Sequence, residues 1–245
     1  MICKDSERVC RMNVVQINLG NHGSTGGIAR GISEVANKEG INAYFAYPWD
    51  SNNGSSKEND IIIGSQFGRR VSRKLGRITG FNGCFSVFAT IKFLKKLDAI
   101  KPDILHLHNL HNCYINLPML FNYIKKKRIP VIWTLHDCWA FTGQCPYFSH
   151  VGCDKWKAGC YECPQIDRYP SAIVDRTRIM WKLKKKWFTG IEKMVLVTPS
   201  KWLAELVKES YLNDYPVQVI NNGVDLAVFH PVQSNIRERL GIIGE

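Results

Sequence analysis

The sequence predicts an α/β protein with a doubly wound, mostly parallel sheet, and three observations carry this prediction. Short apolar runs alternate with helical patterns about seven times along the 245 residues. The apolar runs are continuous, as in strands that are buried on both faces. No internal repeat breaks this order. We therefore expect one sheet with helices on both faces.

The elements can be placed by turn and capping residues. Pro130 precedes one apolar run, Gly40 is a predicted helix C-cap, and Thr198 and Ser200 are candidate N-caps. Strands are predicted at 13–19, 41–47, 60–63, 102–108, 131–135, 194–197 and 216–220. Helices are predicted at 28–40, within 67–97 with a break at 80–83, and at 116–127, 171–189, 201–210 and 236–240.

The first strand leads into a glycine-rich stretch, residues 20–27, which is predicted to be a loop. A strand, a glycine loop and a helix together offer backbone N–H groups to an anion. The stretch is neither G-x-G-x-x-G nor a P-loop, since no Lys follows the last Gly. A plain tight turn explains it nearly as well.

Charge and composition describe a basic globular protein. The chain has 33 Lys and Arg against 21 Asp and Glu, a net charge of +12, and 45% hydrophobic residues. The basic residues cluster at 69–77, 125–128 and 182–187. Such clusters attract nucleic acid, anionic lipid or phosphorylated substrates, or they are solvated helix faces. In the first cluster an apolar stripe indicates a membrane-facing helix or core packing; it comprises Phe67, Val71, Leu75 and Ile78.

Neither a membrane span nor a signal peptide is expected. No run of 18 apolar residues occurs, and the N-terminus has no apolar h-region. We therefore expect a cytoplasmic protein whose nine cysteines are reduced. Residues 1–11 are expected to be a disordered extension, because the first strand begins only after Met12.

Polar side chains follow two of the predicted strands. His136 and Asp137 come where the strand at 131–135 ends, which is where ligands bind in open α/β sheets. A strand-end turn capped by Asp137 is the alternative. His106 and His108 share one face of their strand, but no third metal ligand is evident, so polar strand-end residues are the expected interpretation.

Four cysteines after His136 and Asp137 have the spacing C-x7-C-x6-C-x2-C. They are Cys145, Cys153, Cys160 and Cys163, and the last two form a Cys-x-x-Cys knuckle. This pattern predicts a structural zinc site that pins a long loop. Inert packing and redox or disulfide chemistry are the alternatives, because the first pair is more widely spaced than in a standard zinc ribbon.

Several motifs together resemble glycosyltransferase family 4. They are GSTGGIAR, PDILHLHNLH, VIWTLHD, VTPSKWLAELV and VINNGVDLAVFHP, and the resemblance covers residues 12–231. The block HDCWAFTGQC followed by GCDKWKAGCYECP resembles enzymes of bacterial exopolysaccharide, capsule and lipopolysaccharide assembly.

The resemblance implies a GT-B architecture: two Rossmann-like domains that face a cleft, and a metal-independent, retaining transfer from a nucleotide-sugar. His136 would touch the transferring sugar, and Asp137 would hold the site or an acceptor hydroxyl. Gly26 and Gly27 would approach the donor phosphate or the acceptor. Further substrate-binding residues implied by the resemblance are His108, Asn109, His111, Ser200, Asn222 and Gly223.

The same resemblance implies that residues 12–231 form the N-terminal, acceptor-side domain and that 232–245 begin a donor-binding domain. This chain alone is then expected to be inactive. The expected partners are a nucleotide-sugar donor, a lipid-linked glycan acceptor and, peripherally, the inner face of the cytoplasmic membrane, with no specific nucleic acid and no catalytic metal. The rival hypothesis is a non-catalytic, zinc-containing module whose basic surface binds nucleic acid or membrane.

Overall fold

The computed structural model describes residues 11–49, 57–232 and 234–242, and it confirms the predicted fold class. Seven parallel strands form one sheet, with helices in the crossovers. The extension predicted at residues 1–11 lies outside the described residues, except for Arg11.

Every predicted strand is present, and its ends differ from the prediction by at most two residues. This agreement is expected, because continuous apolar runs bounded by turn residues define buried strands well. The strands are β1 (Asn13–Ile17), β2 (Asn42–Pro48), β3 (Asp60–Ile63), β4 (Ile104–Leu107), β5 (Val131–Thr134), β6 (Met194–Thr198) and β7 (Val217–Val219).

The helices are also those predicted, and three begin at a capping side chain. Ser65, Asn116 and Ser200 each accept the backbone N–H of the residue three positions on. The helices are α1 (Gly23–Lys38), α2 (Gln66–Thr79), α3 (Val87–Ile100), α4 (Leu117–Lys127), α5 (Thr177–Phe188), α6 (Lys201–Lys208) and α7 (Ile236–Arg239). Between β5 and α5 lie three short 3₁₀ helices, Trp139–Phe141, Ser149–Val151 and Lys155–Lys157.

The strand order indicates where a ligand crevice is expected, and this place is called the cleft below. The order is β3-β2-β1-β4-β5-β6-β7, and every neighbouring pair is parallel. The chain therefore winds one way from β1 to β3 and the other way from β4 to β7. The reversal falls between β1 and β4, and the carboxyl ends of strands at such a switch point form the usual ligand crevice.

Helix α1 begins earlier than predicted, since Gly23–Gly27 are helical rather than a loop. Gly26 explains how the helix packs so early. A Cβ at Gly26 would lie 2.9 Å from the backbone carbon of Asn21 and 3.0 Å from the carbonyl oxygen of Gly20. The first turn of α1 therefore rests directly on the turn that leaves β1, a contact only glycine allows.

Helix α5 begins later than predicted, at Thr177 rather than near residue 171. The preceding residues make tertiary contacts instead of helical ones. The N–H of Ile173 donates to the carbonyl of Arg77, and Asp175 accepts the N–H of Thr177. The bond to Arg77 holds the segment against α2. The helix that the basic pattern predicts therefore forms only from Thr177 onward.

Helix α2 packs small residues against the protein and leaves its large apolar residues exposed. Its small residues Ser72 and Gly76 are buried, and a Cβ at Gly76 would lie 2.9 Å from the sulfur of Cys113. The apolar stripe predicted on this helix is instead exposed, with Phe67 at 77%. Core packing is therefore the wrong interpretation of the stripe. In the described parts of the chain, no helix is long and apolar enough to cross a bilayer.

Candidate functional site

The carboxyl ends of β1, β4 and β5 bring the polar side chains of Gln16, His108 and His136 together. Ile17 pairs with Leu107, and Leu107 pairs with Trp133, so the residues just after β1 and β4 lie side by side. Asn18 accepts the backbone N–H of Asn109 through its side chain. The side chains that follow these strands therefore meet at the switch point of the sheet.

A chain of hydrogen bonds runs from the core to the cleft through two histidines. His108 Nε2 lies 2.9 Å from Gln16 Oε1, and His108 Nδ1 lies 3.1 Å from His136 Nε2. Gln16 and His108 are buried, whereas His136 is partly exposed. The backbone carbonyl of His108 accepts the indole N–H of Trp133 at 2.9 Å. His136 is thus held by a hydrogen bond at Nε2, and its Nδ1 makes no hydrogen bond within the described residues.

Burial keeps these histidines neutral near pH 7. Burial, together with the nearby His136, lowers the pKa of His106 from 6.5 to about 4. Burial likewise lowers the pKa of His108 well below 6.5, and that of His136 more modestly, since Asp137 opposes the shift. His106 Nε2 lies 2.8 Å from the hydroxyl of Thr134, so His106 is satisfied without a metal.

A second group of polar contacts holds Asp137, which faces away from His136. Its Oδ1 accepts the backbone N–H of Trp139 at 2.9 Å, and its Oδ2 lies 3.3 Å from His111 Nε2. The other nitrogen of His111 lies 2.8 Å from the hydroxyl of Tyr169. Asp137 therefore caps the turn after β5 and lies close to His111, whose buried Nε2 makes no hydrogen bond within the described residues.

The other predicted substrate-binding residues lie at the same edge of the sheet but are not all in one place. Gly26 is buried in the first turn of α1, and Gly27 is exposed beside it. Ser200 follows β6 and caps α6. Asn222 and Gly223 follow β7, the edge strand, and are exposed.

The zinc prediction finds no support in the described residues. No group of three or more His, Cys, Asp or Glu side chains is arranged there to hold a metal ion. Cys145, Cys153, Cys160 and Cys163 do line one small cavity. However, Cys160 Sγ accepts the N–H of Gly143 at 3.1 Å, and Cys145 and Cys163 lie close enough for each to shift the pKa of the other. The seven described cysteines are free thiols.

Lys184 is a buried cation that braces the loop after the cleft. Its Nζ donates to the carbonyls of Trp139 and Thr142 and lies 3.7 Å from the centre of the Trp139 ring. Burial lowers the pKa of this lysine from 10.5 to about 7. The predicted basic cluster at 182–187 is therefore not one solvated surface.

This depressed pKa predicts a pH-dependent stability. Between pH about 7 and about 10.4 the unfolded chain keeps the Lys184 proton and the folded chain releases it, so folding becomes more favourable as pH rises. Relative to a Lys184→Met variant, the free energy of unfolding should rise by up to about 1.4 kcal/mol per pH unit in this window. Urea denaturation of both proteins across the window measures the difference. Parallel pH profiles would contradict the assignment.

Sequence reasoning missed three residues of this site: Gln16, Tyr169 and Lys184. Gln16 has one signal, since it is a lone polar residue inside the apolar run of β1. Lys184 stands in a run of lysines that are otherwise mostly exposed. Tyr169 is 58 residues away along the chain from His111, which it contacts. Contacts of this kind become visible only in three dimensions.

Comparisons with known proteins show the family of the chain. A family profile described as Glycosyltransferase Family 4 matches residues 25–228. The chain is 27% identical over 233 residues to a protein of Escherichia coli (strain K12) that carries the name colanic acid biosynthesis glycosyl transferase WcaC. That alignment covers 88% of this chain and 55% of the relative.

Among solved structures, the chain resembles the sucrose-phosphate synthase of Thermosynechococcus elongatus. The TM-score is 0.56 at 12% identity, over 94% of this chain and 53% of that one. At this identity the likeness shows the fold alone. The chain spans about half the length of both proteins.

Proposed function

Because the chain belongs to glycosyltransferase family 4, we propose that it forms the acceptor-side half of an enzyme that transfers a sugar from a nucleotide-sugar to a glycan acceptor. The name of the E. coli relative supports cell-surface polysaccharide synthesis as the pathway class. The observation that carries the proposal is the pair His108 and His136, held at the switch point of the sheet. Residues 12–231 are the proposed domain.

In this proposal His136 contacts the transferring sugar, and Asn109 and His111 line the acceptor side. Asp137 is a positioning residue, because both carboxylate oxygens face the protein. Gly26 and Gly27 bring the N-terminus of α1 towards the donor phosphate or the acceptor. The transfer is proposed to retain the anomeric configuration and to need no metal.

We expect little transfer from residues 1–245 alone. A departing diphosphate needs preorganised positive charge. The side chains placed at the cleft, His136 and Asp137, are neutral or acidic, so the charge must come from a donor-binding domain. A structural zinc has no place in the proposal, since the described residues offer no ligand group for it. The rival zinc-containing module is weakened for the same reason.

The test is a transfer assay of the protein that contains this chain together with its donor-binding half. A panel of nucleotide-sugars is offered with lipid-linked glycan acceptors, and labelled product is measured. One donor should give acceptor-dependent transfer with release of the nucleoside diphosphate. Absence of transfer with every donor would overturn the proposal.

The acceptor is proposed to be lipid-linked and reached at a membrane surface. Phe67 on α2 and Phe88 on α3 are 77% and 83% exposed and lie on one groove. Lys92 and Lys96 line the same groove and are exposed, and further exposed basic residues lie on the same two helices: Arg70, Arg73, Lys74, Arg77 and Lys95. Exposed aromatic side chains on basic helices suit an anionic bilayer surface.

This proposal predicts binding to anionic vesicles. Sedimentation with phosphatidylglycerol vesicles should exceed that with phosphatidylcholine and should fall with salt. The double variant Phe67→Ser, Phe88→Ser should bind at least about tenfold more weakly. Trp202→Ser, which removes an exposed aromatic residue from α6, is the control and should bind normally. Equal binding by the double variant and the wild type would exclude this face.

A further inference from the structure

We propose that Gln16 is a positioning residue: it fixes the proton positions on His108 and His136, so that His136 offers a bare Nδ1 to a hydrogen-bond donor in the cleft. The proton arrangement is a property of this chain. The ligand class, a sugar hydroxyl, rests on the proposed function.

The orientation of the Gln16 amide is set by α1. Its Nε2 donates to the carbonyl of Ala29 at 3.0 Å and to the hydroxyl of Ser33 at 2.5 Å. A backbone carbonyl can only accept, so the opposite amide orientation would place two acceptor oxygens against each other. Gln16 Oε1 therefore points at His108.

The proton positions follow in two steps. Gln16 Oε1 can only accept, so His108 Nε2, 2.9 Å away, carries a hydrogen and donates it. A neutral imidazole has one N–H, so His108 Nδ1 is bare and accepts. His136 Nε2, 3.1 Å from that nitrogen, must then carry the hydrogen of the second bond.

The ring geometry fits this second bond. The planes of the His108 and His136 rings differ by only 17°, and their centres are 5.4 Å apart. With the two nitrogens 3.1 Å apart, the nearly coplanar rings meet edge to edge, which is the alignment that an N–H···N hydrogen bond requires. Neutral His136 is left with a bare Nδ1, which makes no hydrogen bond to any residue in the described parts of the chain.

The surroundings favour the neutral form of His136. The titratable groups around it are His106 from β4, His108 and His111 from the loop that follows β4, and Asp137 from its own turn. Burial and the neighbouring imidazoles disfavour a further positive charge, and only Asp137, which is turned towards His111, opposes them. The Nδ1 of His136 can therefore accept a hydrogen bond from a donor such as a sugar O–H, but it cannot donate one to an acceptor.

The test is nitrogen-15 NMR of the chain labelled at histidine, because the protonated and bare nitrogens of a neutral imidazole have well-separated shifts. At pH about 7.5 the wild type should show Nε2–H and bare Nδ1 on both His108 and His136. Loss of individual signals in His108→Gln and His136→Gln assigns them. A wild-type His136 protonated on Nδ1 would overturn the proposal without any variant.

Two variants separate Gln16 from general packing. Gln16→Met keeps the side-chain length but removes the acceptor, so the His136 nitrogen shifts should move towards the average of both tautomers. Ser33→Ala removes only a partner of the Gln16 amide nitrogen and should leave both tautomers unchanged. Unchanged tautomers in Gln16→Met, or a shift of equal size in Ser33→Ala, would overturn the role of Gln16.

Gln16→Glu keeps an oxygen that accepts from His108 Nε2, and its second oxygen, when protonated, donates to the carbonyl of Ala29, so this variant should retain the Nε2–H tautomer of His108 even if Gln16→Met folds poorly. Loss of that tautomer in a folded Gln16→Glu protein would also count against the proposal. In the transfer assay, Gln16→Met should lower kcat about tenfold and Gln16→Glu should restore part of it. Correct tautomers without transfer by any protein would overturn the proposed function and leave the proton arrangement standing.

Discussion

Trp133→Ala should destabilise the chain by about 3–5 kcal/mol, the largest effect expected from a single core substitution here. The indole is 1% exposed and packs against Phe121 and Phe188, with ring centres 5.6 Å and 4.9 Å away. Its N–H also satisfies the buried carbonyl of His108. Truncation opens a cavity and leaves that carbonyl without a partner.

Urea denaturation of the wild type and of Trp133→Ala measures this difference. Trp133→Phe keeps most of the ring contacts and loses the N–H, so it should cost less than Trp133→Ala. Trp202→Ala, at a residue that is 57% exposed, should change the free energy of unfolding by no more than about 0.5 kcal/mol. A loss below about 1 kcal/mol for Trp133→Ala would show that the indole does not support the strand beneath the cleft.

The sheet could be predicted from sequence because its strands carry a strong and local signal. Each of β1 to β7 is a short apolar run between turn residues, and the ends of the runs place polar residues at one edge of the sheet. His136 could be predicted as a cleft residue for the same reason. Its partner His108 follows the neighbouring strand and meets it through the register of the sheet.

The errors arise where close packing overrides local pattern. Gly26 and its neighbours have the composition of a loop, yet α1 begins there because glycine lets the helix touch the turn after β1. In α2 the apolar stripe was as compatible with the core as with the surface. Gly76 decided the outcome, because the small residues pack inward and the stripe stays outside.

The cysteine spacing is a case in which pattern does not specify contacts. A Cys-x-x-Cys knuckle constrains Cys160 and Cys163 but says little about the direction of the sulfur atoms. In the structure, the thiol of Cys163 lies beside that of Cys145, while Cys160 accepts a backbone N–H. The hydrogen bond from Cys145 lowers the pKa of Cys163 to about 7. Such pairings cannot be deduced from spacing.

The role of His136 predicts the largest effect on activity. In the protein that contains this chain and its donor-binding half, His136→Ala should lower the rate of sugar transfer at least about 100-fold, because it removes a preorganised contact to the reacting sugar. Stability should also fall, by about 1–3 kcal/mol, because the buried Nδ1 of His108 loses its hydrogen-bond donor, so the rates are compared at a temperature at which every protein is folded. His150→Ala is the matched control, at an exposed histidine in the 3₁₀ helix Ser149–Val151.

The central claim is that the histidines at the carboxyl ends of β4 and β5 take part in sugar transfer. Its most direct test is the transfer rate of His136→Ala beside that of His150→Ala, with the preferred nucleotide-sugar and at a temperature at which both proteins are verified to be folded. The claim predicts at least about a 100-fold loss for His136→Ala and a change within about twofold for His150→Ala. Wild-type transfer by a folded His136→Ala protein would contradict it.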